Sequence, residues 1–261
     1  MPRKILGVIP ARFASSRFPG KVLAQISSKP MIQHVYERCA RARYLTSTII
    51  ATDDERVYSV AKGFGARVTM TRADHPTGTD RVAEVASAEN AEIVVNIQGD
   101  EPLIDPAAID AAILPLFHDS EIVMGTLAKR IENAREITDP NVVKVVADRR
   151  GDAIYFSRCP IPFVRTQAGM PVLPPYFKHI GLYVYRRDFL LRYSSLPVGP
   201  LEEAERLEQL RALENGYRIR VVETEYESLG VGTPEDLERV SRLFEASLRG
   251  GNDAEWLSIS S

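Results

Sequence analysis

Cysteine is scarce. Cys39 and Cys159 are the only two in 261 residues, they stand far apart, and neither belongs to a CxxC or Cys/His spacing. That excludes a disulfide framework and a thiolate metal cluster, and both are expected to be buried, reduced thiols. Long apolar runs are missing too. The opening MPRKILGVIPAR carries two basic residues before an apolar run too short for a signal segment, and no later run approaches a membrane span. A cytoplasmic protein without membrane insertion is expected. Charge of one sign is also lacking: 33 Lys and Arg against 35 Asp and Glu leave a net charge of -2. A nucleic-acid binder normally shows a basic domain or stripe, so no nucleic-acid partner is expected. The familiar nucleotide loops are absent as well. GxxxxGK[ST] needs a glycine and a hydroxyl where the chain has Ser15 and Val22, no GxGxxG follows a strand, and HExxH and GxSxG do not occur.

What is present is an ordinary globular composition, 44% hydrophobic and 26% charged, in a chain long enough for one large α/β domain or a domain with a substantial excursion. Its organising stretch is Ile9 to Lys21, IPARFASSRFPGK, which leaves a short apolar strand and at once becomes basic, small and kinked. Arg12, Arg17 and Lys21 enclose the hydroxyls of Ser15 and Ser16 and the Pro19-Gly20 pair. Guanidinium forks and an ammonium neutralise phosphate oxygens, and small residues let backbone N–H groups approach, so the composition suits a triphosphate cradle.

Lys4 to Ile9, Thr48 to Ala51, Arg67 to Thr71 and Glu92 to Gln98 read as strands. Helices are expected from Pro30, after the caps Asp53 and Asp54 as far as Phe64, through about Glu89, and after Asp105-Pro106. His34 lies off the apolar stripe of its helix and is read as surface. The alternation is that of right-handed βαβ units. A strand order of 3-2-1-4 puts the first and fourth strands side by side at the switch point, so the basic loop faces the Gly99-Asp100-Glu101-Pro102 turn. Asp100, a carboxylate at a strand end beside a polyphosphate site, is placed to hold Mg2+, which takes one or two carboxylates plus substrate oxygens; Glu101 is read as structural. Further along, Ile122 to Ile131, Val142 to Ala147, Ala153 to Ser157, Phe177 to Tyr185 and Ile219 to Thr224 look like strands. Thr166 to Pro175 looks like a mobile connection, Leu201 to Asn215 like one helix, and Thr233-Pro234-Glu235-Asp236 like the start of a last amphipathic helix. The tail after Gly250-Gly251 loses periodicity and reads as disordered.

Ile9 to Leu23, TRADHPTGTDR (Thr71 to Arg81), NIQGDEP (Asn96 to Pro102), YFSR (Tyr155 to Arg158), KHIGLYVYR (Lys178 to Arg186), LEQLR (Leu207 to Arg211) and TPEDLERV (Thr233 to Val240) together resemble the 3-deoxy-manno-octulosonate (Kdo) cytidylyltransferases, or CMP-Kdo synthetases. The resemblance runs in order from the first strand to about Arg249. It implies a three-layer nucleotidyltransferase α/β fold with a mostly parallel central sheet, and one domain over about 1–250, with a nucleotide-binding part to about 120 and a sugar-binding and dimerisation part beyond it. It implies a homodimer that uses Mg2+ to make CMP-Kdo and pyrophosphate from CTP and Kdo for lipopolysaccharide biosynthesis. Carried over, Arg12, Lys21 and Asp100 are catalytic and Asp100 holds the metal. Arg12, Ser15, Arg17, Lys21, Arg72, Thr77, Gly78, Arg81 and Gln98 surround the nucleotide, and Arg158, His179, Glu208 and Gln209 the sugar acid. One departure stands out. The pattern before the last helix is usually G-x-D-T-P-E-D, with the first Asp as a second carboxylate on magnesium, and this chain has Gly232 there. Asp236 is a cap partner by register, leaving Glu225 or Glu227, or the substrates' own oxygens, to complete the metal's ligands. Two other readings stay open: a cytidylyltransferase for an amino-modified Kdo or a sialic-type sugar, and a CTP-binding module without turnover.

Overall fold

Ile5, Leu6, Val8 and Ile9 are all 2% exposed or less, the burial on both faces that a continuous apolar run demands of a parallel strand. They belong to β1 (Ile5–Pro10), and a short 3-10 turn at Lys21–Leu23 and the small hairpin β2 (Gln25–Ile26) and β3 (Lys29–Pro30) follow it. The chain continues through α1 (Met31–Cys39), β4 (Ser47–Thr52), α2 (Glu55–Gly63), β5 (Val68–Met70), α3 (Gly78–Ala88), β6 (Ile93–Asn96) and α4 (Pro106–His118). The structure is a computed structural model describing residues 3–14, 18–165 and 176–250. Ser15, Ser16, Arg17, the expected connection Thr166 to Pro175 and the tail from residue 251 lie outside the described residues. Two compact units divide the chain, one of residues up to Asp110 with those from Tyr226 onward, the other Ala111–Glu225.

In the first unit the parallel order is β5-β4-β1-β6, which is the expected 3-2-1-4. β1 and β6 are neighbours, and the loops leaving their carboxyl ends start side by side. Gly99 makes that possible: a Cβ there would stand 2.9 Å from the Pro10 carbonyl oxygen, so only glycine lets the turn after β6 pass the end of β1.

The second unit holds β7 (Met124–Arg130), α5 (Ala134–Thr138), β8 (Lys144–Ala147), β9 (Ala153–Ser157), β10 (Phe177–Arg186), α6 (Arg187–Tyr193), α7 (Pro200–Glu205), α8 (Leu210–Glu214) and β11 (Ile219–Glu223). Pairing here is mixed: β10 runs antiparallel to β7 and β8, β8 antiparallel to β9, and β11 parallel to β7. Lys144, fully buried, spends its three N–H donors on the carbonyls of Asp139 (2.9 Å), Val142 (2.6 Å) and Arg158 (2.7 Å), so its charge is a local rivet. The chain then returns to the first unit in α9 (Pro234–Gly250), whose Leu237, Val240, Leu243 and Phe244 pack with Ile26, Met31, Leu103 and Val231.

Four expectations change. Pro30 is the cap before α1, with extended backbone, and not its first residue. His34 is half-buried, its ring 4.5 Å from that of Phe244 and its Nε2 2.9 Å from the Ile26 carbonyl. α9 covers the face that α1 alone would expose, and burial lowers the imidazole's pKa. Cys39 is buried as expected, but Cys159 is exposed. The single helix over Leu201 to Asn215 is two short helices, because Arg206 adopts the left-handed conformation (φ 54°) after α7. The last helix belongs to the same unit as the nucleotide-side strands.

Candidate active site

The loop after β1 is closed at its neck by the Gly20 N–H on the Phe13 carbonyl (2.8 Å). Gly20 is left-handed (φ 73°), and a Cβ there would meet the Phe13 ring at 2.9 Å. The Arg56 guanidinium stacks on the same ring, 3.4 Å from its centroid. Ser15 and Arg17, expected in the cradle, are outside the described residues.

Lys21 leaves this neck in the 3-10 turn. Its Nζ donates to Asp100 Oδ2 and, over 3.1 Å, to the Val231 carbonyl. Asp100 sits four residues beyond β6 and its side chain is 30% exposed, so one carboxylate edge is open to a ligand while the other is neutralised. The Val231 N–H in turn donates to the Asp100 carbonyl (2.8 Å). Glu101 is buried and takes hydrogen bonds from Tyr226 (2.9 Å) and Ser228 (2.7 Å).

Arg12 reaches the second expected loop, donating to the carbonyls of His75 and Thr77, the latter at 3.3 Å. Thr77 and Asp80 form a reciprocal capping box at the start of α3, and a Cβ on Gly78 would find only Pro10 Cγ, at 3.8 Å, so the first turn of that helix stays uncrowded. Arg72 is exposed beside Asp74. Gln98 is half-buried directly before Gly99. Arg81 is fully buried and donates to Asp53 Oδ2 (2.9 Å) and to the Thr71 hydroxyl. Its geometry is that of a tether fastening the loop to the end of β4, and it explains why Asp53 does not share Asp54's capping role.

Where the sequence reading expects a metal, the donor set is one open carboxylate, Asp100. Among the described residues no group of three or more His, Cys, Asp or Glu side chains could hold a metal. One carboxylate completed by substrate oxygens and water is a set magnesium accepts, so Asp100 fits. Asp236 accepts from the backbone N–H groups of Gly232 (3.0 Å) and Thr233 (3.1 Å), the capping part read from its register. Glu225 is exposed and Glu227 half-buried.

In the second unit, Arg158 follows β9. Its guanidinium binds the carbonyls of Glu205 (2.8 Å), Pro140 (2.9 Å) and Arg206 (3.4 Å), while its own N–H donates to Glu205 Oε2 (2.9 Å). Ser157 donates to the other Glu205 oxygen at 2.6 Å. Glu208 and buried Gln209 sit in the break between α7 and α8, held from below by the Tyr193 hydroxyl on the Glu208 carbonyl (2.6 Å) and by the Arg211–Glu202 pair (2.6 Å). His179 is wedged between Phe156 and Tyr183, and burial pushes its pKa down to about 3. Its tautomer follows from its partner. Thr126 Oγ1, 2.8 Å from the Leu182 carbonyl, spends its proton there and must accept from His179 Nε2–H at 2.9 Å. A neutral ring with a lone pair on Nδ1 suits a hydroxyl, not a carboxylate.

Sequence reading missed Val231 and Glu205. Val231 acts through its backbone, which leaves no mark on residue choice, and Glu205 was hidden inside what reads as one continuous helix.

Parallel strands with basic loops and an open carboxylate at their carboxyl ends suit a nucleotidyltransferase, and the chain's similarity to known proteins shows that class. A family model for cytidylyltransferases matches residues 6–219, and the chain belongs to that family. The relatives narrow it further. The chain is 79% identical over 251 residues to the 3-deoxy-manno-octulosonate cytidylyltransferase of Solibacter usitatus, covering 96% of this chain and 98% of that one. It is 58% identical over 244 residues to the protein of that name from Geobacter metallireducens, covering 91% and 96%. Among solved structures, that of CMP:2-keto-3-deoxy-manno-octonic acid synthetase complexed with CTP superposes with a TM-score of 0.89 at 44% identity, covering 94% of this chain and 99% of that one. The chain is therefore a member of the 3-deoxy-manno-octulosonate cytidylyltransferase family.

Proposed function

We infer that this protein transfers CMP from CTP to the anomeric hydroxyl of Kdo, releasing pyrophosphate, and so supplies an activated sugar for lipopolysaccharide. The observation that carries the reading is the Lys21–Asp100 contact across the ends of two adjacent parallel strands, in a chain with near-full-length Kdo cytidylyltransferase relatives.

The sugar oxygen attacks the α-phosphorus in line and the bond to the β-phosphate's bridging oxygen breaks, so no protein nucleophile is needed. Catalysis is positioning and neutralisation of developing charge. Lys21 and Arg12 would neutralise the phosphate oxygens of the leaving pyrophosphate, with Ser15 and Arg17 in the same loop. Gly78, in the first turn of α3, would offer its backbone N–H, with Thr77 fixed beside it by its capping box with Asp80, and Arg72 and Gln98 would flank the cytidine. Asp100 would hold Mg2+, which when bound polarises the α-phosphate and lowers the pKa of the attacking hydroxyl. Arg158, fixed by carbonyls but with N–H donors to spare, is suited to the sugar carboxylate, and His179 Nδ1, Glu208 and Gln209 to its hydroxyls. A homodimer in the cytoplasm is the form in which we expect it to work.

Offering CTP and magnesium with Kdo, an amino-modified Kdo or a sialic acid, and measuring the CMP-sugar formed, tests the reading. Kdo should be the preferred acceptor, and turnover with another acid alone contradicts it.

A further inference from the structure

Glu101 is an acid that this chemistry leaves unused. It lies next to Asp100, is 8% exposed, and its carboxylate is met by two hydroxyls, Tyr226 on Oε2 (2.9 Å) and Ser228 on Oε1 (2.7 Å). Both donors stand on the stretch between β11 and α9, residues 224–232, which has no regular secondary structure of its own. A segment without a helix or ladder is placed only by what it is tied to.

Three residues beyond Ser228, Val231 clasps the catalytic pair with its backbone. Its N–H donates to the Asp100 carbonyl (2.8 Å) and its carbonyl receives Lys21 Nζ (3.1 Å). Its side chain is buried beside Met31, Leu103 and Val240, which fixes its depth but leaves its slide along the chain to the polar ties. The stretch is tied at its ends by the Thr224 N–H on the Ala128 carbonyl (2.9 Å) and the Gly232 N–H on Asp236 (3.0 Å), and between them the hydroxyls of Tyr226 and Ser228 converge on one carboxylate.

We propose that Glu101 is a positioning residue: through Tyr226 and Ser228 it fastens the 226–231 strap, so that Val231 sets Lys21 and Asp100 at the separation the phosphoryl transfer uses. The proposal rests on the cytidylyltransferase reading above. A structural peg alone would affect melting only, whereas small displacements of groups aligned for in-line transfer cost up to about a hundredfold in rate.

The test compares wild type with Tyr226→Phe, Ser228→Ala, Glu101→Gln and the double variant Glu101→Gln/Tyr226→Phe. The readouts are kcat for pyrophosphate release with CTP, Kdo and magnesium, and CTP affinity by calorimetry, at a temperature where circular dichroism shows every variant folded. The two hydroxyl variants should lower kcat by about ten- to a hundredfold with CTP affinity within roughly threefold of wild type, since the lost alignment is felt in the transition state. The double variant should cost no more than its worse member, because both act through one tie. Unchanged kcat in folded Tyr226→Phe and Ser228→Ala, with only a lower melting temperature, overturns the positioning role while leaving the cytidylyltransferase reading intact. A wild-type protein that releases no pyrophosphate overturns that reading and the proposal with it.

Discussion

Lys21→Ala removes the ammonium that donates to Asp100 and to the Val231 carbonyl. Two effects on turnover follow, and both have the same sign. Losing one preorganised donor at a point of developing charge costs about 2.7–4 kcal/mol, or roughly two to three orders of magnitude in kcat. Until magnesium binds, the Asp100 carboxylate is also left without its cation beside an incoming polyphosphate, a repulsion of about 1–4 kcal/mol at 4 Å between the dielectric of water and that of a protein surface. The side chains of the pair are 15% and 30% exposed, so solvent screening keeps the second effect toward its lower bound. The variant should therefore lose about two to three orders in kcat, measured as steady-state pyrophosphate release at saturating CTP, Kdo and magnesium. Lys21→Arg, which keeps a charge and a donor at greater length, should recover part of the loss. A fall of less than threefold in the alanine variant would remove Lys21 from the catalytic set.

Asp53→Ala leaves the fully buried Arg81 guanidinium with Thr71 as its remaining partner. Breaking a buried pair by removing one member costs about 3–5 kcal/mol, and the surviving hydroxyl places this case near 3. Urea denaturation measures it, and a loss below about 1 kcal/mol contradicts the tether. His179 gives a pH signature: its folded pKa of about 3 lies below the unfolded value of about 6.5, so the unfolded chain binds the extra proton between those limits. Its contribution to stability is complete above pH 6.5 and is lost as pH falls toward 3, with a slope of at most about 1.4 kcal/mol per pH unit. His179→Phe should flatten that part of the stability curve, and an unchanged slope refutes a half-buried imidazole held neutral. Gly232→Asp adds a carboxylate one residue after the Val231 clasp and should lower the magnesium concentration for half-maximal turnover. An unchanged requirement would mean that Asp100 and the substrates already supply what the metal needs.

The first unit was largely legible because its signals are local. Apolar runs at Ile5–Ile9 and Ile93–Ile97 fix buried parallel strands, the cap at Asp54 fixes a helix start, and the rules of βαβ connection then leave the order β5-β4-β1-β6. Long-range partners were not legible. His34 reads as surface until α9, some two hundred residues later, lays Phe244 against it, and the Asp53 and Thr71 partners of Arg81 leave no mark in its local pattern. In the second unit the break at Arg206 depends on a left-handed backbone at a non-glycine residue, held by Arg158 from just after β9. Nothing in the local pattern of Leu201 to Asn215 encodes that contact.

Pyrophosphate release from CTP in the presence of Kdo and magnesium, with ATP, GTP and UTP in parallel, tests the central claim most directly. Sugar-dependent release with CTP well above that with the other three nucleotides is the predicted result. Release independent of Kdo, equal release from all four nucleotides, or CTP binding without release would contradict it.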